Sequence, residues 1–114
     1  MKIPINRGED GQLLGYILQE GSAWSARTIF AHVIARVVDK DSAEMVVRNE
    51  GLLFLQGMWR YYDEADRDWY PCVIKEAFES RVIVVRTNEL GFEDPEHYKR
   101  VIIRNPTEAT LLKA

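Results

Sequence analysis

Trp59-Arg60-Tyr61-Tyr62, then Trp69-Tyr70-Pro71-Cys72-Val73-Ile74, then Arg81-Val82-Ile83-Val84-Val85-Arg86 is the stretch that decides the fold of this chain. Aromatics crowd the first two pieces and β-branched residues the last two, with short polar segments between them. Such side chains suit a pleated, half-buried surface, so each piece reads as a strand. Strands joined by tight turns favour an antiparallel meander. Curling the meander into a small twisted barrel hides its edges and leaves an aromatic rim.

Working outward, strands are expected at residues 58–63, 69–78, 81–87 and 99–104, where apolar residues recur with period two. The acidic segment 63–68 reads as a solvated hairpin, and Glu79-Ser80 is too short for anything but a tight turn. Residues 88–97 form a longer polar loop holding Gly91 and Pro95. Asn105-Pro106-Thr107-Glu108 stops the last strand, and Thr107 suits the cap of a final short turn.

The first half is patterned differently. Residues 3–18 read as a hairpin: Ile3 and Ile5 alternate with polar residues, and Asp10-Gly11 suits a turn needing positive φ. Gly15 suggests a bulge in the second strand. After the turn at Gln19-Glu20-Gly21-Ser22, strand is expected for at least residues 26–33. A helix follows over about residues 42–50. Asp41-Ser42-Ala43-Glu44 resembles a capping box, with Asp39 also suited to the positive end of the dipole. Ala43, Val46 and Val47 share its buried face, and Gly51 is a natural left-handed stop. Leu52-Leu53-Phe54-Leu55 either continues the helix or forms a buried connector.

The fold class is therefore α+β. Residues 1–56 form an antiparallel sheet with one helix (βββα), and residues 57–114 a small antiparallel barrel; the alternative is one integrated domain. The chain has 114 residues, 46% of them hydrophobic and 29% charged, the balance of a globular protein. With 15 basic against 18 acidic residues, it has no general pull on phosphate backbones. Cys72 is the only cysteine, so no intrachain disulfide forms. No apolar run is long enough for a signal peptide or a membrane span, and a cytoplasmic protein is the expectation.

The second half resembles the Tudor and Agenet families of small β-barrels. The carrying residues are the aromatic strand with Trp59, Tyr61 and Tyr62, the acidic hairpin, the run from Trp69 to Ile74, and the valine-rich strand from Val82 to Val85. The resemblance implies a Tudor-like barrel in which Cys72, as the small residue after Tyr-Pro, lets the second strand bend. It also implies an aromatic cage for methylated Lys or Arg, held by cation–π attraction. Tyr61 or Tyr62 would supply one wall and Tyr70 another. The family usually adds aromatics after the third strand. Here Arg86, Thr87 and Asn88 stand there, Phe92 is the nearby replacement, and a cationic Arg86 in a cage wall repels a cationic ligand.

No residue pattern points to catalysis or a cofactor. His32 sits mid-strand with no ligand at useful spacing, and His97 lies in a charged loop. Cys72 follows proline in a strand, where a packed thiol is the usual finding. Counted as a calcium loop from Glu64, the acidic hairpin puts Trp69 at the glycine position and Lys75 at the distal glutamate, so no metal is expected. Arg81, Arg86, Lys99, Arg100 and Arg104 align either as a basic stripe or as surface arginines paired with Glu76, Glu79 and Glu89. The reading is a non-enzymatic protein-interaction or regulatory module. It binds a peptide or protein partner through a rim of Tyr61, Tyr62, Tyr70 and Arg86, with Phe92 on the adjoining loop. An exposed strand edge would also admit a homodimer. The alternative is a nucleic-acid-binding accessory protein that uses the sheet and the arginine stripe.

Overall fold

A computed structural model describes residues 2–93 and 100–114. The chain divides into two compact units, Met1–Leu55 and Gln56–Ala114. Each carries one antiparallel sheet, and the helix belongs to the first, so the class is α+β.

The first unit holds β1 (Lys2–Asn6), β2 (Leu13–Glu20), β3 (Ala23–Arg27) and β4 (Val33–Val37), paired in that order, followed by α1 (Lys40–Glu50). The expected three strands are thus four. The strand expected over residues 26–33 breaks at Thr28, because the chain reverses there. The Thr28 N–H donates to the His32 carbonyl at 2.9 Å, and the Thr28 hydroxyl accepts from the His32 N–H at 3.1 Å. Ala31 takes a positive φ of 68° inside this turn. Local side-chain bonding overrides the β propensity of the segment.

The register of β1 on β2 slips between Ile5 and Asn6, which face Gly15 and Leu13. The expected bulge therefore lies beside Gly15, where a Cβ would meet the Arg27 carbonyl oxygen at 2.2 Å. Only a glycine lets β2 pass that close to the β3 backbone.

Helix α1 begins two residues earlier than the sequence predicts, at Lys40. Asp39, not Asp41, is the N-cap, and its carboxylate accepts from the Ser42 N–H at 2.7 Å. Ala43 and Val47, four residues apart, are fully buried with Ile5, Leu14, Ile17 and Ala26; Val46 packs at the margin of this core. Gly51 ends the helix with a right-handed φ of −52°, not a left-handed cap. Its small size is what the site requires: a Cβ there would lie 2.4 Å from the Leu14 carbonyl oxygen. Leu53–Leu55 then forms a single 3-10 turn with Leu53 exposed, so the segment neither extends α1 nor makes a buried connector.

The second unit contains β5 (Met58–Asp63), β6 (Asp68–Ala77), β7 (Arg81–Arg86), β8 (Arg100–Arg104) and β9 (Leu111–Lys113). Their order is β8-β7-β6-β5-β9, all antiparallel. Alternation puts Trp59, Tyr61, Cys72, Val82, Val84, Ile103 and Leu111 on one packed face. The expected closed barrel is corrected here: β8 and β9 are the two ends of an open sheet and do not pair. Bonds from Tyr62 N–H to the Thr110 carbonyl and from Ala114 N–H to the Met58 carbonyl turn the even residues of β9 toward β5. The amide of Leu111 therefore faces the gap, but it is already given to the Thr107 carbonyl at 2.9 Å. Three residues with their first outward donor consumed cannot zip onto β8. Residue 99, the expected start of that last strand, and the end of the 88–97 loop lie outside the described residues.

Candidate functional site

Three of the five expected rim residues meet. Cross-strand pairing sets Tyr61 opposite Tyr70, and Cys72 opposite Arg86, so all four side chains share the packed face. The Arg86 guanidinium lies 3.6 Å from the centroid of the Tyr70 ring. Its Nε donates to the Tyr61 hydroxyl oxygen at 3.2 Å, and its Nη2 is 3.7 Å from the Asp63 carboxylate. The Tyr61 and Tyr70 rings are 6.0 Å apart. Burial works against the charge on Arg86, but the Tyr61 hydrogen bond and the nearby Tyr70 and Asp63 more than offset it, and its pKa is raised.

This geometry changes the meaning of the rim. The position over Tyr70 that a methylated ligand would take in a cage is filled by the chain's own cation. Tyr70 does not offer a free hydroxyl either: it donates to Asp66 Oδ2 at 2.6 Å, and that bond, with burial, raises the phenol pKa. Asp63 and Asp66 are partners the sequence did not point out, because an acidic hairpin reads as solvated whichever carboxylates turn inward. Asp63 also holds the hairpin, accepting from the Ala65 and Asp66 amides at 2.9 and 3.1 Å.

The other two rim residues lie elsewhere. Tyr62 points to the opposite face, edge-on to Trp69 at 5.5 Å. Phe92 is 68% exposed at the end of a loop folded on Asn88, whose side-chain oxygen accepts from the Leu90 and Phe92 amides. Lys75 pairs with Glu93 just beyond it.

The arginines do not form one stripe. Arg86 faces inward, whereas Arg81, Arg100 and Arg104 share the outer face by the β7–β8 register. Arg100 is bonded to Glu76 at 3.3 Å. Arg81 lies over the Phe78 ring at 4.6 Å, and Arg104, directly opposite it, has no carboxylate partner among the described residues. Lys99 and His97 lie outside the described residues.

A hollow of about 330 Å³ runs beside β8. Residues 101–104 line one side, and Tyr62, Glu64 and Thr110 the other. Four consecutive strand residues can line one hollow only along the strand's edge, because their side chains alternate between faces. The hollow is the seam where the sheet stays open. Ile102, at its margin, is 52% exposed.

The reactive side chains are tied down. Cys72 is fully buried, and loss of solvent pushes its thiol up to about 12. His32 sits between the rings of Phe30 and Phe54, with centroids 6.2 and 6.0 Å away. Among the described residues no three His, Cys, Asp or Glu side chains are grouped to hold a metal, and no helix is long and apolar enough to cross a membrane. Comparison with protein-family models, with curated proteins and with solved structures gave no match.

Proposed function

We propose that this protein is a non-enzymatic interaction module whose second unit binds a peptide or protein partner. The observation that carries the reading is the open seam of the sheet, with Tyr62 on one wall and the edge of β8 on the other. An uncovered strand edge beside a hollow is the architecture of peptide capture. The resemblance to Tudor and Agenet domains supports the same use. The proposed contact surface keeps Tyr62 and Phe92 from the rim; Tyr61, Tyr70 and Arg86 brace the packed face of the same sheet. The brace leaves no room for a methylated-lysine cage, so the partner is recognised by strand and surface contacts. The buried, protonated Cys72 supports a non-catalytic role.

The test is affinity capture from host extract with nuclease present, comparing the parent with Tyr62→Ala and Phe92→Ala, each checked for folding by circular dichroism. Retained proteins that are lost in both folded variants are expected. Binding that vanishes with nuclease, or that both variants keep in full, overturns the reading.

A further inference from the structure

We propose that the partner is an extended acidic segment that adds as a sixth strand to the outer edge of β8, with a carboxylate opposite Arg104 and an apolar residue opposite Ile102. The inference rests on the reading of the second unit as a peptide-binding module and names the partner's chemistry.

Backbone direction comes first. The Asn105 N–H donates to the Ser80 carbonyl, and the Phe78 N–H to the Arg81 carbonyl. These two bonds fix the phase of the ladder. Val82 and Val84 exchange bonds with Ile103 and Val101 across β7–β8, while the amides and carbonyls of Ile102 and Arg104 point away. No strand pairs with them among the described residues. The seam thus presents a spaced set of donors and acceptors, which is what an added strand satisfies.

Side chains give the chemistry. Arg100, Ile102 and Arg104 alternate along one face of β8, with Arg81 and Ile83 opposite Arg104 and Ile102 on β7. Like charges directly opposed on neighbouring strands are unfavourable, and among the described residues no carboxylate pairs with Arg81 or Arg104, the Glu64 side chain lining the far wall of the hollow. A glutamate or aspartate on an added strand beside Arg104 relieves that repulsion. An apolar residue two positions along then covers the exposed Ile102. A second copy of this chain fits badly: antiparallel pairing of two β8 edges about Ile102 sets Arg100 against Arg104 twice.

The probe is a blocked heptapeptide, Thr-Glu-Val-Val-Val-Glu-Thr, added to the full chain and followed by NMR amide exchange and titration. Slowed exchange at the Ile102 and Arg104 amides is expected. Replacing both glutamates by lysine, or Arg104→Glu in the protein, should weaken binding roughly five- to tenfold through the cross-strand charge pair. N-methylating the peptide amides that face β8 should abolish it. If Ile102 and Arg104 stay unprotected, or the N-methylated peptide binds equally well, the inference fails; the interaction reading survives if Tyr62→Ala still releases host partners. Protection of the same amides by dimerisation of the protein alone overturns it in favour of a second copy. Tight binding of a single-stranded oligonucleotide that Arg104→Glu removes overturns it in favour of a phosphate site.

Discussion

Removing Arg86 tests the structural core of the second unit more sharply than any other change. In Arg86→Ala three interactions go together. The cation over Tyr70, with its side chain 21% exposed, contributes on the order of 1 kcal/mol. The charged hydrogen bond to Tyr61 contributes about 1.5–3 kcal/mol, since the Tyr61 hydroxyl belongs to a residue only 3% exposed and loses its partner. The Asp63 pair at 3.7 Å adds at most about 1 kcal/mol. The three share one cation and are not additive, so a net loss of about 2–3 kcal/mol is expected. At several degrees per kcal/mol for a domain of this size, the melting temperature should fall on the order of 10 °C. Arg86→Lys keeps the charge without the stacking plane and should fall in between. Ethylguanidinium at millimolar concentration should raise the melting temperature of Arg86→Ala and leave the parent unmoved, because it refills the site over Tyr70. An Arg86→Ala protein that melts within about 2 °C of the parent, a shift worth well under 1 kcal/mol, would refute the bracing argument.

Three further outcomes are expected. The Thr87 hydroxyl is buried without a partner among the described residues, so Thr87→Val should gain about 1 kcal/mol and raise the urea midpoint. Cys72 should resist alkylation in the native protein at pH 8 and react at once in denaturant; rapid native labelling would contradict its burial. Asp39, through the Ser42 amide it holds, and Glu20, through Arg27 and Arg36, have lowered pKa values, so the stability they contribute is present above the ordinary carboxylate range and lost as pH falls through their folded values. Helix amide exchange should therefore quicken below about pH 4, and less so in Asp39→Asn, which keeps the cap acceptor without the titration.

The strands of the second unit were legible because each is bounded by polar turns and patterned with period two: Met58–Asp63, Asp68–Ala77 and Arg81–Arg86 fall where the alternation places them. Three things were not. Leu111–Lys113 is too short to show any period, and it is a strand only because β5 offers it a partner. The turn at residues 28–32 hides among β-branched residues, since what makes it is a bond from the Thr28 side chain and not a glycine or proline. The phase of β8 is masked by the unbroken apolar run Val101-Ile102-Ile103. The flanking Arg100 and Arg104, two positions either side of Ile102, were the available signal that Ile102 faces out. For the site, residue types led to Tyr61, Tyr70 and Arg86, but their grouping depends on register. Pairing Cys72 with Arg86 swings the arginine inward; a slip of one residue would have turned it to solvent.

The strand edges of the two sheets resist pairing in different ways. In β1, Pro4 has no N–H to offer, and the Asn6 carbonyl accepts from Arg48 at 3.0 Å. In β4, Arg36 is 62% exposed and tied to Glu20. In β9 the Leu111 amide is consumed by its own turn. Missing donors, occupied groups and edge charges all discourage pairing with another chain. Edges β4 and β8 both rely on charge, but Arg36 is already paired with Glu20, whereas Arg104 has no carboxylate partner among the described residues. Charge differs from the other devices in being selective. A proline refuses every partner, whereas an arginine refuses a basic strand and its own copy while admitting an acidic one. No strand among the described residues pairs with the Ile102 and Arg104 backbone groups beside the hollow, so on the proposed reading the arginines that would oppose two β8 edges also set the charge of the strand the edge takes.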